Sequence, residues 1–302
     1  MGLNQEVWRK DVVGNLFPDN SFASQSEDDS EYVSNKTVHI PNAGTPPNVV
    51  KNRPFKQGGA DVTTRTDNDL EYSIDEYTCD PVHVSNIEKT ELTYSKRNSV
   101  MAGAKGKLND TVYESLPFNW VPATPFKRAT SGSAVAAHIP DATGNRKAFT
   151  VADVKAIQQI FNGQDIPQDG RNILLDSEMY GQLYDSMNDA QKASMQQTFD
   201  AKTGNIGTFL GFTFWMRSRV LKTDNVGAKK EWSAANVATD CAAGIAWHRG
   251  SVSRALGLVK FFDNVDDPTY FGDVISFLAR AGGAPRRYDK KGVVLIHQAP
   301  SV

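Results

Sequence analysis

Ile166-Pro167-Gln168-Asp169-Gly170-Arg171-Asn172-Ile173-Leu174-Leu175-Asp176-Ser177 carries the clearest punctuation in the chain. Asn172 to Leu175, apolar after its first residue, is too short for a helix and bounded by turn residues, which reads as a buried strand. Ser177 then caps a helix with Met179, Leu183, Tyr184 and Met187 on its apolar side. Upstream, the Thr150 hydroxyl can cap another helix, and Asp153 three residues on favours its positive end. Phe149 and Val154 take the two positions of a hydrophobic staple, and Gly163 suits the exit. Val151, Val154, Ile157, Ile160 and Phe161 supply the face that packs inward. Helix, strand and helix in succession make an α/β unit.

Downstream, Asp189 can open a further helix through Met195 and Phe199. Ile206 to Val220 is strand-like, with Leu210, Phe212, Phe214 and Met216 alternating. Gly204-Asn205-Ile206-Gly207 superficially suggests a phosphate loop, but such loops open onto a helix N-terminus and this one leads into a strand. A tight turn is the reading there. Val274 to Leu278 and Val293 to Ile296 are strand candidates, separated by the basic turn Pro285-Arg286-Arg287.

Toward the N-terminus the period changes. Ile87, Tyr94, Met101, Ala104, Leu108 and Val112 fall on one helical stripe, with Lys89, Lys96, Arg97, Lys105 and Lys107 largely off it. This predicts a long amphipathic helix from Asn86 that ends before Pro117. Gly103 and Gly106 each weaken it by roughly 1 kcal/mol relative to alanine.

The first third is unlike the rest. Asp19 to Asn35 is polar, with Glu27, Asp28, Asp29 and Glu31 close together, and alone such a segment should be disordered. Thr37 to Pro41 is a short strand, and Val62 to Arg65 and Leu70 to Ile74 are two more β-like pieces. Between them Asn42 to Gly59 is rich in Pro, Gly and Asn and carries Lys51, Arg53 and Lys56. Together these predict a projecting hairpin with too few apolar residues for a core of its own.

Of the 302 residues 39% are hydrophobic and 23% charged, which fits a globular chain with a real core. The 33 Lys and Arg against 35 Asp and Glu argue against a nucleic-acid coat, which needs a basic excess. Cys79 and Cys241 are too few for a disulfide scaffold or a four-ligand zinc site, and a reducing compartment is the simple reading. No run approaches ~18 apolar residues, and Met1 to Lys10 shows no secretory pattern. The histidines 39, 83, 138, 248 and 297 are scattered, with no metal-binding spacing. Gly132-Ser133 lacks the strand-turn-helix setting of a nucleophile. Asp28/Asp29 and Asp266/Asp267 lie in polar loops and read as solvated or ion-paired, and Cys241 reads as a buried structural thiol. No catalytic residue, cofactor or metal site is expected.

Four stretches resemble the major capsid proteins of tailed bacteriophages with the Hong Kong 97-like fold. They are Ile74 to Pro81 with the following Lys96-Arg97 helix, and Ile166-Pro167 through Arg171 to Leu183. The other two are Gly204-Asn205-Ile206-Gly207 with Gly211 to Phe214, and Tyr270 to Val274 through Arg287 to Ile296. The resemblance implies an α+β fold with an N-terminal arm (1–35), an extended β-hairpin loop (36–82) and a long spine helix. It further implies a peripheral domain (83–150 and 262–285) and an axial domain (151–261 and 286–302), whose tip, about Val220 to Trp247 with Trp232 and Trp247, would sit at five-fold and six-fold vertices. The implied function is a structural protein that self-assembles, through pentamers and hexamers, into an icosahedral head enclosing DNA held only by non-specific proximity.

It implies assembly with a separate scaffolding protein or none, portal and decoration proteins as further partners, no membrane, and a virion location after synthesis in the host cytoplasm. Arm and hairpin would both gain order by lying across neighbouring copies, with contacts repeated around the shell offsetting the entropy of ordering. Contact candidates are Glu27, Asp28, Asp29 and Glu31 on the arm and Lys51, Arg53, Lys56 and Arg65 on the hairpin, the two sets facing each other between subunits, together with Trp232, Arg286 and Arg287. The alternatives are an encapsulin-type compartment holding a cargo enzyme, and an unrecognised soluble enzyme or binding module.

Overall fold

The structure is a computed structural model that describes residues 19–53, 62, 64–91 and 96–301. Its helices are α1 (Asn86–Glu91), α2 (Lys96–Trp120), α3 (Val151–Gly163), α4 (Ser177–Ser186) and α5 (Asp189–Gln196). In chain order the strands are β1 (Glu27–Asp28), β2 (Val33–Ser34), β3 (Thr37–Asn42), β4 (Asn68–Ser73), β5 (Asp75–Thr78), β6 (Val82–Ser85), β7 (Phe126–Ala129), β8 (Ala134–Ala136), β9 (Asn145–Lys147), β10 (Arg171–Leu175), β11 (Gly207–Phe209), β12 (Phe212–Met216), β13 (Leu221–Thr223), β14 (Lys229–Lys230), β15 (Cys241–His248), β16 (Val252–Asp267), β17 (Gly272–Pro285) and β18 (Val293–His297).

β15 is the spine of the main sheet. β10 and β13 pair antiparallel along one of its edges and β18 along the other, with β12 parallel to β10 and β7 parallel to β18. Both faces are covered, so β10 and β18 are buried at every residue rather than alternating, and all of it is apolar but Arg171, Asn172 and His297. Ile173 and Leu175 join Ile157, Phe161, Met179 and Leu183 of α3 and α4 on one side. Leu174, Ile245 and Leu295 join Leu116 and Trp120 of α2 on the other.

The second sheet is built on the long antiparallel hairpin β16–β17. β5 and β6 pair with the outer edge of β17, and β1 runs parallel to the first residues of β16. The extended hairpin is β3–β4, paired in register from Thr37–Ser73 to Asn42–Asn68. Its base is buried: Val38, Ile40 and Ile74 close on Ala255 of β16.

The capping box at Thr150 and Asp153 is present, and β10 lies where the apolar run put it. Several expectations are corrected. Asp176, not Ser177, caps α4, its carboxylate accepting from the Met179 N–H at 2.7 Å, and Asn188 caps α5. A carboxylate aimed at the helix's first free amides is the stronger acceptor. Phe199 lies beyond α5 and is exposed. Leu210 is no strand residue. It turns the β11–β12 hairpin with φ +50° beside Gly211 at φ +78°.

The long helix runs through Pro117 to Trp120 instead of stopping before it. Proline removes one helical hydrogen bond, and the burial of Leu116, Pro117 and Trp120 in the core compensates. Ile87 is exposed, and Tyr94 lies outside the described residues. Val62, Thr64 and Arg65 are not in a strand. Residues 252–261, expected with the axial unit, share the β16–β17 ladder, and β7, expected with the peripheral unit, pairs in the main sheet.

Candidate functional site

The arm is the largest departure from expectation. Ser21 to Gln25 forms a 3-10 turn whose Phe22 is 1% exposed, set edge-on to Trp120 at 5.9 Å and to Trp247 at 6.4 Å between ring centroids. Around that anchor the body supplies donors to the arm's backbone. Trp247 Nε1 donates to the Gln25 carbonyl at 2.7 Å, and Arg254 donates to the Ala23 carbonyl and, at 3.2 Å, to Ser26 Oγ. The acidic run is paired within its own chain. Asp28 meets Arg254 at 3.3 Å, Asp29 meets Arg286 at 3.1 Å, and Glu27 stands 3.7 Å from Arg249. Glu31 is exposed.

The arm's root is bolted to the spine helix. Arg217, fully buried, donates from Nε to Asn20 Oδ1 at 3.1 Å and from Nη2 to Asp110 Oδ1 at 2.6 Å. Arg219 donates to the other Asp110 oxygen at 2.7 Å. Burial pulls the Arg217 guanidinium below its ordinary value, and Asp110 opposes it. The glycine turn found in the sequence serves the same contact. At Gly204, φ +75°, a Cβ would stand 2.1 Å from Asp19 Oδ2 and 2.2 Å from Ser21 Oγ, so a side chain there would be strained and would push those two arm groups aside.

The loop behaves differently beyond its base. Gly44 N–H donates to Asp67 at 2.8 Å, and Arg65 pairs with Asp67 at 2.7 Å, so Arg65 closes the neck of its own hairpin. From Thr45 to Arg53 every residue is exposed, including Val49 at 90%, Lys51 and Arg53. Lys56 lies outside the described residues. Arg287 pairs with Asp289 at 2.6 Å in the turn before β18. Trp232 is half-buried against the main core, with Lys222 Nζ 5.8 Å from its ring centroid.

Apolar surface is concentrated on one further element. Leu256, Leu258, Val259, Phe261, Phe262 and Val265 of β16 are all exposed. On the side away from β17, β16 is paired among the described strands only with β1, at Ser253 and Arg254. A groove of about 610 Å³ runs between this strand and α2, lined by Leu108, Val112, Leu116, Val259, Phe261 and Phe277.

Two of the histidines are paired with carboxylates. His39 meets Asp69 at 3.0 Å, and His138 meets Asp176 at 2.9 Å. Cys241 is buried, and burial pushes its thiol up. Among the described residues no group of three or more His, Cys, Asp and Glu side chains could hold a metal ion, and no helix is long and apolar enough to cross a membrane.

What the sequence reading missed are Phe22, Asp110, Arg217 and the Trp120–Trp247 pair. One signal was available: Phe22-Ala23 is the only apolar pair inside an otherwise polar segment of Asp19 to Asn35 besides the isolated Tyr32-Val33.

The same architecture occurs in solved structures over nearly the whole chain. A Mycobacterium phage Che8 structure aligns with a TM-score of 0.63 at 17% identity, covering 99% of this chain and 100% of that one. The capsid of Ralstonia phage GP4 aligns at 0.67 and 14% identity, covering 99% and 96%. The capsid of a native GTA particle aligns at 0.66 and 10% identity, covering 98% and 96%. No curated protein sequence matches. A family model described as phage capsid protein matches residues 98–298, from the start of the spine helix to the end of β18. The chain therefore belongs to the phage capsid protein family and has the Hong Kong 97-like fold of tailed-phage shells.

Proposed function

We propose that this subunit builds the icosahedral head of a tailed phage around its DNA genome, as repeated copies grouped in pentamers and hexamers. The observation that carries the reading is the family match across the spine helix and both sheets, joined to a loop whose residues Thr45 to Arg53 are all exposed. Its part is structural rather than catalytic. The tip residues Val49 to Arg53 reach a neighbouring copy, where Lys51 and Arg53, with Lys56 in the adjoining segment, meet acidic groups. The exposed apolar run of β16 and the groove beside it are surface that assembly covers, since patches of this kind mark association sites.

Trp232 stands near the tip expected at the vertices. Arg286 is committed to Asp29 of its own arm and Arg287 to Asp289, so their part in assembly is to hold the surface rather than to reach across it. The near-neutral charge suits DNA held by proximity, because a strongly basic lining would retain the genome. Scaffolding, portal and decoration proteins are the further partners of such a shell, which forms in the host cytoplasm. Size-exclusion chromatography with electron microscopy of the purified full chain tests the reading. Closed shells or five- and six-membered rings are expected, and a monomer that stays compact at every concentration would refute it.

A further inference from the structure

His297 ends β18 with its side chain almost wholly buried. Its Nδ1 faces Thr223 Oγ1 of β13 at 2.8 Å. The turn between β13 and β14 lies directly on the ring: a Cβ at Gly227, φ +79°, would stand 3.2 Å from two ring carbons. That turn is held by Asp224, whose carboxylate accepts from the N–H groups of Val226 at 3.0 Å and Ala228 at 2.7 Å. Two cationic side chains act on the ring, Lys127 of β7 and Arg146 of β9, and the Asp224 carboxylate opposes them. Burial first, then Lys127, holds the imidazole at about 4, so it is neutral at pH 7. A second ring proton would be sealed under a close-packed turn and repelled by Lys127 and Arg146.

We infer that His297 is a proton-operated catch beneath the β13–β14 turn: neutral, it seats the turn on the sheet; protonated, it lifts the turn and the loop that follows. The loop is coupled because its fastenings are shared. Arg146 donates to the Ala238 and Asp240 carbonyls at 3.3 and 2.9 Å, and Lys230 of β14 pairs with Asp240 at 2.6 Å. Lys222 of β13 donates to the Ala234 carbonyl at 2.6 Å. The sign follows from the depressed folded value. The seated state has its full stability above the ordinary histidine value of 6.5 and loses it as pH falls from there toward 4. His138 acts in the opposite sense. Its pairing with Asp176 raises its value, so its contribution is complete below 6.5 and is lost as pH rises.

Hydrogen exchange of the purified full chain at pH 7 and pH 5, corrected for intrinsic rates, tests the catch. With the lifted state titrating near 6.5 and the seated state near 4, opening of residues 224–230 should increase roughly twenty-fold at pH 5, while β10 stays protected. His297→Gln keeps a hydrogen-bonding group toward Thr223 but cannot gain a proton, and it should abolish the acid response. Lys127→Glu, in a second variant that leaves the ring in place, should raise the ring's proton affinity and shrink the response. An unchanged response in both variants, or no acid response in the parent chain, overturns the proposal.

Discussion

The arm and the extended loop look alike in sequence and differ in the folded subunit. Both are polar, poor in apolar residues and unable to make a core alone. Yet Asn20 to Asp29 is fastened to its own chain at almost every step, whereas Thr45 to Arg53 is exposed at every residue. The difference is small in composition. One aromatic side chain with a ready-made cleft, and four arginines (Arg217, Arg249, Arg254 and Arg286) aimed at an amide, a backbone carbonyl and carboxylates of the arm, turn a segment expected to be disordered into part of the body. Polarity therefore says little about where a segment is held. The body's donors decide it.

The comparison can be broken most forcefully at the arm's root. Asp110→Ala leaves Arg217 buried without its carboxylate, and losing one partner of a buried pair typically costs about 3–5 kcal/mol. Urea unfolding of the unassembled subunit should show a loss of that order, with faster exchange along both α2 and the arm.

Phe22→Ala empties the cleft between Trp120 and Trp247 and should cost about 3 kcal/mol, at the low end for a buried aromatic because the arm can settle inward. Its exchange signature should be confined to residues 20–30 and their contacts, which separates it from the change at Asp110. The smallest effect on the subunit belongs to the loop. Reversing the exposed Lys51 and Arg53 to Glu should leave its unfolding free energy within about 0.5 kcal/mol. The same variant should lower the yield of shells seen by electron microscopy, so stability and assembly part company there.

Much of the main sheet's helix layer was legible because local signals agree with the tertiary outcome. Thr150 and Asp153 cap α3, and the run Ile173 to Leu175 is apolar because both of its faces are covered. The β16–β17 hairpin was mostly invisible for the converse reason. From Leu256 onward β16 is exposed and mixed in composition, so no alternation marks it. Pro117 misled because a local helix-breaking rule was overridden by burial of the helix end. At the arm, the decisive partners Trp120, Arg217, Trp247 and Arg254 lie far along the chain, beyond the reach of any local pattern. Of the acidic run, Glu27, Asp28 and Asp29 pair with Arg249, Arg254 and Arg286, all equally far along the chain.

The central claim is that the loop tip, not the arm, is the element left over for neighbouring copies. Hydrogen exchange compared between the unassembled subunit and the purified shell measures this directly. Amides of residues 48–53 should become protected on assembly while those of residues 20–29 keep the protection they already have. Protection gained by the arm, with the loop tip exchanging equally fast in both states, would contradict the account.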